Sequence, residues 1–277
     1  MLDGTKFVVY GGTGHHEFEL NVLELANKAA GISPPLKFTH VWHQEFPDED
    51  SLLLEHPKNI SDRHIIIFSC PINDRLEIEV LHMIVASVCQ YGASSVTVVM
   101  SFLRYRRQDR KEKDIEITTL RWFVKALRDA GARRLVVCEP HSILHTREFC
   151  DEFGVKLYVA DPTRLFADSV RPLVQTLGPE RVKIYSPDLG SIGRAASLAQ
   201  ALGVGLIATP KNRLFGDTVE VNGMVDEVSW LGKVRETYPD IKVPIDCHIS
   251  DLRGLHIFMR EDELSTGGTA CEAAALL

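Results

Sequence analysis

Apolar residues gather along this chain in short continuous runs, separated by longer stretches with helical spacing. Lys6-Phe-Val-Val-Tyr10, His64-Ile-Ile-Ile-Phe-Ser69, Ser95-Val-Thr-Val-Val-Met100 and Arg134-Leu-Val-Val-Cys138 have strand length and are rich in Val and Ile. Runs without a polar alternate face suit strands covered on both sides, as in a parallel sheet. Between them the spacing predicts helices over residues 17–30, 74–91 and roughly 117–130. The rhythm then restarts, with strands at 156–160, 182–185, 205–208 and 256–259 and helices over 162–177 and 192–202. Alternation of strand and helix predicts an α/β fold of two doubly wound parallel-sheet domains, residues 1–153 and 154–277, with the boundary near Gly154. Residues 216–250 break the rhythm: they carry Pro239 and Pro244, little periodicity and one short helix at about 227–237. Loops of that length are usually functional.

In open parallel sheets, ligands bind beyond the carboxyl ends of the strands. The polar motifs of this chain fall there. A basic segment, residues 104–113, follows Met100; Glu139-Pro-His141 follows Cys138; Ser186-Pro-Asp188 follows Tyr185; Pro210-Lys-Asn-Arg213 follows Ala208; Thr266-Gly-Gly-Thr269 comes after Met259. The last is the most informative, because a strand, the acids Glu261 and Asp262, a glycine turn and an Ala-rich helix start succeed one another. Backbone N–H groups at such a turn and helix start have no intrahelical partner, so they make an anion seat. Gly267 and Gly268 allow close backbone approach, and the two carboxylates suit the hydroxyls of a polyol such as ribose. Taken alone, the same turn reads equally well as a strand-to-helix connection with ordinary caps. Gly11-Gly-Thr-Gly14 lacks GxGxxG spacing and reads as a turn before a helix.

Composition narrows the class. A chain of 277 residues with 45% hydrophobic and 25% charged residues has globular values. No apolar run reaches spanning length and the N-terminus lacks a signal-peptide pattern, which predicts a cytoplasmic protein without a membrane partner. A net charge of −7 provides no global field for nucleic acid. Against that background the basic segment points to a small polyanion. The six cysteines are widely spaced with no CxxC, which predicts reduced thiols and speaks against zinc.

Together these motifs resemble those of the ribose-phosphate pyrophosphokinases, the phosphoribosyl pyrophosphate synthetases. Tyr105-Arg-Arg-Gln-Asp-Arg-Lys111 is similar to that family's Tyr-Ala-Arg-Gln-Asp-Arg-Lys. Pro140-His141, Ser186-Pro-Asp-Leu-Gly190, Lys211-Asn-Arg213 and the Thr-Gly-Gly-Thr turn follow in family order, and the resemblance runs from about Phe46 to Thr269. It implies two domains of phosphoribosyltransferase type. It also implies ATP as co-substrate, Mg²⁺ as cofactor, and transfer of a pyrophosphoryl group to the anomeric hydroxyl of a ribose 5-phosphate-type acceptor. Such a transfer needs positioning and charge neutralisation more than covalent help. By the resemblance Arg107 takes phosphate of ATP, and Gln108 and Asp109 take its base or ribose. Phe46, Asp48 and Asp50 lie in a stretch similar to a loop that reaches the nucleotide of a neighbouring subunit, which implies a homo-oligomer with shared active sites. His141 and Asp188 lie beside the metal–ATP complex, where Mg²⁺ keeps several waters; by itself, a histidine at a strand end is more often a structural hydrogen-bonder. Lys211 and Arg213 are the implied catalytic pair, gripping the phosphates from a loop similar to the family's gating loop. Asp188, Glu261, Asp262, Ser265, Thr266, Gly267, Gly268 and Thr269 are the implied sugar-phosphate site.

The departures from the family pattern gather on the acceptor side. The family has Asp-Asp where Glu261-Asp262 stand, a further Asp at Ser265, and Gly-Gly where Gly190-Ser191 stand. Glu49 and Asp50 replace its Gly-Glu, the stretch after Arg213 is longer, and family members continue with another strand and helix after the turn. The extra methylene of Glu261 moves its carboxylate outward, which matters for hydroxyl contacts. Hence one expectation is the same chemistry on a larger acceptor such as ADP-ribose, as in relatives that serve phage-encoded NAD salvage. Another is a non-catalytic regulatory subunit similar to the synthetase-associated proteins. A phosphoribosyltransferase would share the turn but would not need the segment from Tyr105 to Lys111. Asp262 is the candidate base at the acceptor.

Overall fold

The computed structural model describes residues 2–11, 16–39, 42–45, 52–55, 60–70, 76–111, 114–188, 190–208, 232, 235–236, 241–246, 252–263 and 267–275. The chain divides into two compact units, Met1–Ala160 and Asp161–Leu277.

The first unit runs β1 (Leu2–Asp3), β2 (Phe7–Tyr10), α1 (His16–Ala30), β3 (Ile32–Ser33), β4 (Phe38–Thr39), β5 (Trp42–Glu45), β6 (Leu52–Glu55), β7 (His64–Ser69), α2 (Leu76–Gln90), β8 (Ser95–Met100), α3 (Thr119–Ala130), β9 (Arg134–Cys138), α4 (Ile143–Glu152) and β10 (Lys156–Ala160). Six strands form a parallel sheet in the order β10-β9-β8-β7-β2-β4, so the winding reverses between β2 and β7. Crossovers of one hand then place helices on opposite faces. Ile65, Val85, Val98, Phe123, Leu127 and Cys150 share the larger core, built from α2, α3 and α4, while Val9, Leu23 and Phe68 form a smaller one with α1. Beside the sheet, β1 pairs with β3 in parallel and β5 with β6 antiparallel.

The second unit runs α5 (Thr163–Leu177), β11 (Val182–Ser186), α6 (Ile192–Leu202), β12 (Gly205–Ala208), β13 (Ile245–Asp246), β14 (His256–Met259) and α7 (Gly268–Ala275). Its four strands are parallel in the order β13-β12-β11-β14, and the winding reverses between β11 and β14. Ala167 and Val174 of α5 and Ala195 and Ala199 of α6 pack on Ile184 and Leu206. On the other face Ala273 of α7 packs on Tyr185 and Ile207. Helix α6 stops at Gly203, whose φ of 69° is the left-handed cap a glycine adopts without strain.

The α/β class and the parallel sheets are as expected, but the boundary is not. Residues 156–160 were assigned to the second half; instead Lys156 through Ala160 pair in full register with Arg134 through Cys138. The division therefore falls after Ala160, not after residue 153. Helix α4 was not anticipated, because Ile143 and Leu144 on it are exposed and break the apolar rhythm. The turn at residues 12–14 and most of the short helix expected at 227–237 lie outside the described residues.

Candidate active site

The winding rule puts the ligand edge of each unit at the carboxyl ends of its strands. In the first unit the chain leaves β8, buries Leu103 and turns through Tyr105, a non-glycine residue held at a φ of 60°. The Tyr105 ring meets Phe123 and Trp122 edge-on at 5.8 and 6.1 Å. Arg106 is buried, with its guanidinium 4.6 Å above the Phe102 ring. Arg107 and Gln108 are exposed. The Gln108 N–H donates to the Tyr105 carbonyl at 3.0 Å and the Gln108 carbonyl accepts from the Leu120 N–H at 3.3 Å, which ties the turn to α3.

Asp109 follows in the same segment. Its side chain is 2% exposed and faces inward, with Oδ2 2.9 Å from His141 Nδ1 and 3.7 Å from His145 Nδ1. The carboxylate accepts a hydrogen bond from the His141 ring. That bond assigns the proton to Nδ1, turns Nε2 to the far side of the ring, and orients an imidazole that is itself 39% exposed. His145 reaches the cluster because Ser142 caps α4, accepting the His145 N–H at 3.2 Å.

In the second unit the edge of interest lies at the reversal between β11 and β14. The Ser186 hydroxyl donates to the Asp188 carbonyl at 2.8 Å, and Asp188 Oδ1 accepts the Ser191 N–H at 2.9 Å. Glu261 Oε1 accepts both the Ser191 hydroxyl at 2.8 Å and the Asp262 N–H at 3.0 Å. Arg194 Nη2 lies 3.8 Å from Asp262 Oδ2. Arg260 is buried, lies over the Phe166 ring at 4.5 Å and donates to the Glu261 carbonyl. Burial holds the Glu261 carboxyl above the usual carboxylate range, and the Asp262 carboxyl beside it pushes the same way, against the pull of Ser191. Beyond the acids, Gly267 takes a φ of 80° and accepts the Cys271 N–H at 2.8 Å as α7 begins.

The two edges thus hold Arg107, Gln108, Asp109 and His141 in one unit and Asp188, Glu261, Asp262, Gly267 and Gly268 in the other. Phe46, Asp48, Asp50, Lys211, Arg213, Ser265, Thr266 and the Thr269 side chain lie outside the described residues. Ser191, Arg194, Arg260 and His145 were missed by sequence reasoning. In the sequence Ser191 stood out only as the residue in place of a family glycine; its side chain makes no cap bond to α6. Among the described residues no group of three or more His, Cys, Asp or Glu could hold a metal ion, and no helix is long and apolar enough to cross a membrane. A hard cation that retains its waters fits a sparser donor set. Asp188 offers Oδ2 for one, since Oδ1 is taken by the Ser191 N–H.

Comparison with known proteins agrees with this architecture. Residues 9–131 match the family model for the N-terminal domain of ribose phosphate pyrophosphokinase. Over 269 residues the chain is 28% identical to a ribose-phosphate pyrophosphokinase of Sulfurisphaera tokodaii, covering 96% of this chain and 78% of that one. It is 29% identical to another from Ureaplasma parvum, covering 93% of this chain and 68% of that one. The fold is similar to that of phosphoribosylpyrophosphate synthetase from Mycobacterium smegmatis, with a TM-score of 0.61 over 98% of this chain and 97% of that chain at 14% identity.

Proposed function

We propose that this chain, which belongs to the ribose-phosphate pyrophosphokinase family, transfers the β,γ-pyrophosphoryl group of ATP to the anomeric hydroxyl of a ribose 5-phosphate group. The observation that carries this reading is the order at the end of β14: Glu261 and Asp262 held at the strand end, then Gly267 in a left-handed turn, then the start of α7. Carboxylates suit sugar hydroxyls, and the turn with its helix N-terminus suits the 5-phosphate. ATP is assigned to the first unit, with Arg107 on phosphate and His141 oriented by Asp109.

In the reaction the anomeric oxygen attacks the β-phosphorus and the bond from that phosphorus to the bridging oxygen breaks. AMP leaves with that oxygen, and a sugar 1-pyrophosphate remains. Asp262 is the group assigned to take the hydroxyl proton. Lys211 and Arg213 neutralise the charge on the transferring phosphates. Mg²⁺ would supply further charge neutralisation, with His141 and Asp188 each assigned as a candidate ligand on its own unit. Phe46, Asp48 and Asp50 are assigned to the nucleotide of a neighbouring subunit, hence a homo-oligomer. The five described cysteines are free thiols, which favours the cytoplasm.

The second reading, the same chemistry on ADP-ribose, is favoured by the longer Glu261 carboxylate and its bond to Ser191. AMP release from ATP and Mg²⁺, measured with ribose 5-phosphate and with ADP-ribose, tests both. AMP only with ribose 5-phosphate removes the second reading; AMP with neither removes enzymatic transfer. Lys211→Ala separates an enzyme from a regulatory scaffold. An enzyme loses about 10²–10³-fold in turnover while still binding ATP, whereas a scaffold is indifferent.

A further inference from the structure

Ser191 stands between the two acid-bearing loops of the second unit and gives a different donor to each. Its N–H goes to Asp188 Oδ1 at 2.9 Å and its hydroxyl to Glu261 Oε1 at 2.8 Å, across 70 positions of sequence. The residue is 2% exposed, so water does not compete for that hydroxyl. Glu261 Oε1 is gripped from a second side by the Asp262 N–H at 3.0 Å. Glu261 Oε2 is buried, with no hydrogen-bond donor beside it among the described residues. A glutamate has three rotatable bonds, and fixing them costs conformational entropy. When a neighbour fixes them before a ligand arrives, that cost drops out of binding.

We infer that Ser191 is a positioning residue for the acceptor: its hydroxyl presets the Glu261 carboxylate, and its N–H presets Asp188, so that both strand-end acids meet a phosphorylated sugar in fixed register. The inference rests on the assignment of this edge to the acceptor. It ascribes the acceptor's affinity partly to a side chain that does not touch it. Ser191→Ala removes the hydroxyl but keeps the N–H to Asp188. Glu261→Asp keeps the charge but draws the carboxylate one methylene back from Ser191.

The test is a double-mutant cycle in the full chain with Ser191→Ala, Glu261→Asp and both together. AMP release reads the KM for each substrate and kcat, and thermal unfolding without substrates reads the pair itself. Loss of one such hydrogen bond is expected to raise the acceptor KM by about 5- to 30-fold, with kcat and the ATP KM within about twofold. The double variant is expected to be no worse than the worse single one, in KM and in unfolding temperature alike. Effects that multiply in the double variant, or an ATP KM that rises with the acceptor KM, overturn the inference. Wild-type protein that releases no AMP with any sugar phosphate overturns the functional reading instead. The unfolding cycle still decides the Ser191–Glu261 pair in that case, and additive unfolding shifts there reject it.

Discussion

The two strand-end edges carry opposite charges and keep them in place by different means. In the first unit a basic segment is steadied by aromatic faces and by one carboxylate: Arg106 lies over Phe102, Tyr105 packs on Phe123 and Trp122, and Asp109 is turned inward to the imidazoles of His141 and His145. In the second unit the functional charges are themselves carboxylates, and they are steadied by a hydroxyl, backbone N–H groups and an arginine. The contrast follows from what each edge is assigned to hold. A polyphosphate needs cations, and Asp109 is tolerated beside them because it is buried and bonded. A sugar needs acceptors for its hydroxyls, and crowded acceptors repel one another unless donors hold them. The first edge should therefore be most sensitive to losing Asp109, and the second to changes in pH.

The largest expected effect is at Asp109. Asp109→Ala removes the carboxylate to which the His141 ring donates and opens a space in a buried turn, at a cost of about 1.5–3 kcal/mol in the stability of the first unit. Chemical denaturation measures that loss. With the ring no longer oriented, kcat/KM for ATP should fall by roughly tenfold to a hundredfold. Asp109→Asn keeps the shape and a neutral acceptor and should recover part of both. If Asp109→Ala is as stable and active as the wild type, the first edge does not depend on this carboxylate and the contrast is lost.

Arg107 is next. It is exposed, so its removal should leave stability unchanged within about 0.5 kcal/mol, while a charge-assisted phosphate contact is lost. The ATP KM of Arg107→Ala should rise by about tenfold, with the acceptor KM unchanged, as steady-state kinetics would read. An acceptor KM that moves equally would mean the two edges do not divide the substrates between them.

How far these edges were legible in sequence depends on whether the deciding contact was local. Strands β7, β8 and β9 were legible from uninterrupted Val and Ile runs, and α6 from its run of buried Ala and Leu ending at a glycine. Strand β10 was recognised as a strand but given to the wrong half, since its pairing with β9 is a long-range choice that composition does not encode. Two-residue strands such as β4 and β13 are too short to show a period. Arg107 and His141 were singled out only through the family resemblance, and Glu261 and Asp262 because two acids follow a strand and precede a glycine turn. The inward turn of Asp109 and the Ser191–Glu261 bond were hidden, because each joins segments that lie far apart in sequence, 32 and 70 positions respectively.

The smallest expected effect is on the pH dependence of the second unit. The Glu261 carboxyl is held above its ordinary value of 4.5, first by burial and then by Asp262. The folded state therefore keeps that proton more tightly than the unfolded chain. Below the unfolded value both states are protonated and the group's contribution is fully present. As pH rises from about 4.5 through the raised folded value, the unfolded chain releases its proton first and that stability is lost. Glu261→Gln cannot ionise, so its unfolding free energy should lack this decline, converging with the wild type at low pH and exceeding it near neutrality. Denaturant unfolding of both proteins across that pH range measures the difference. A wild type no steeper than Glu261→Gln would mean that the hydroxyl and backbone donors fully offset the burial of the carboxylate, so that the second edge is no more pH-sensitive than the first.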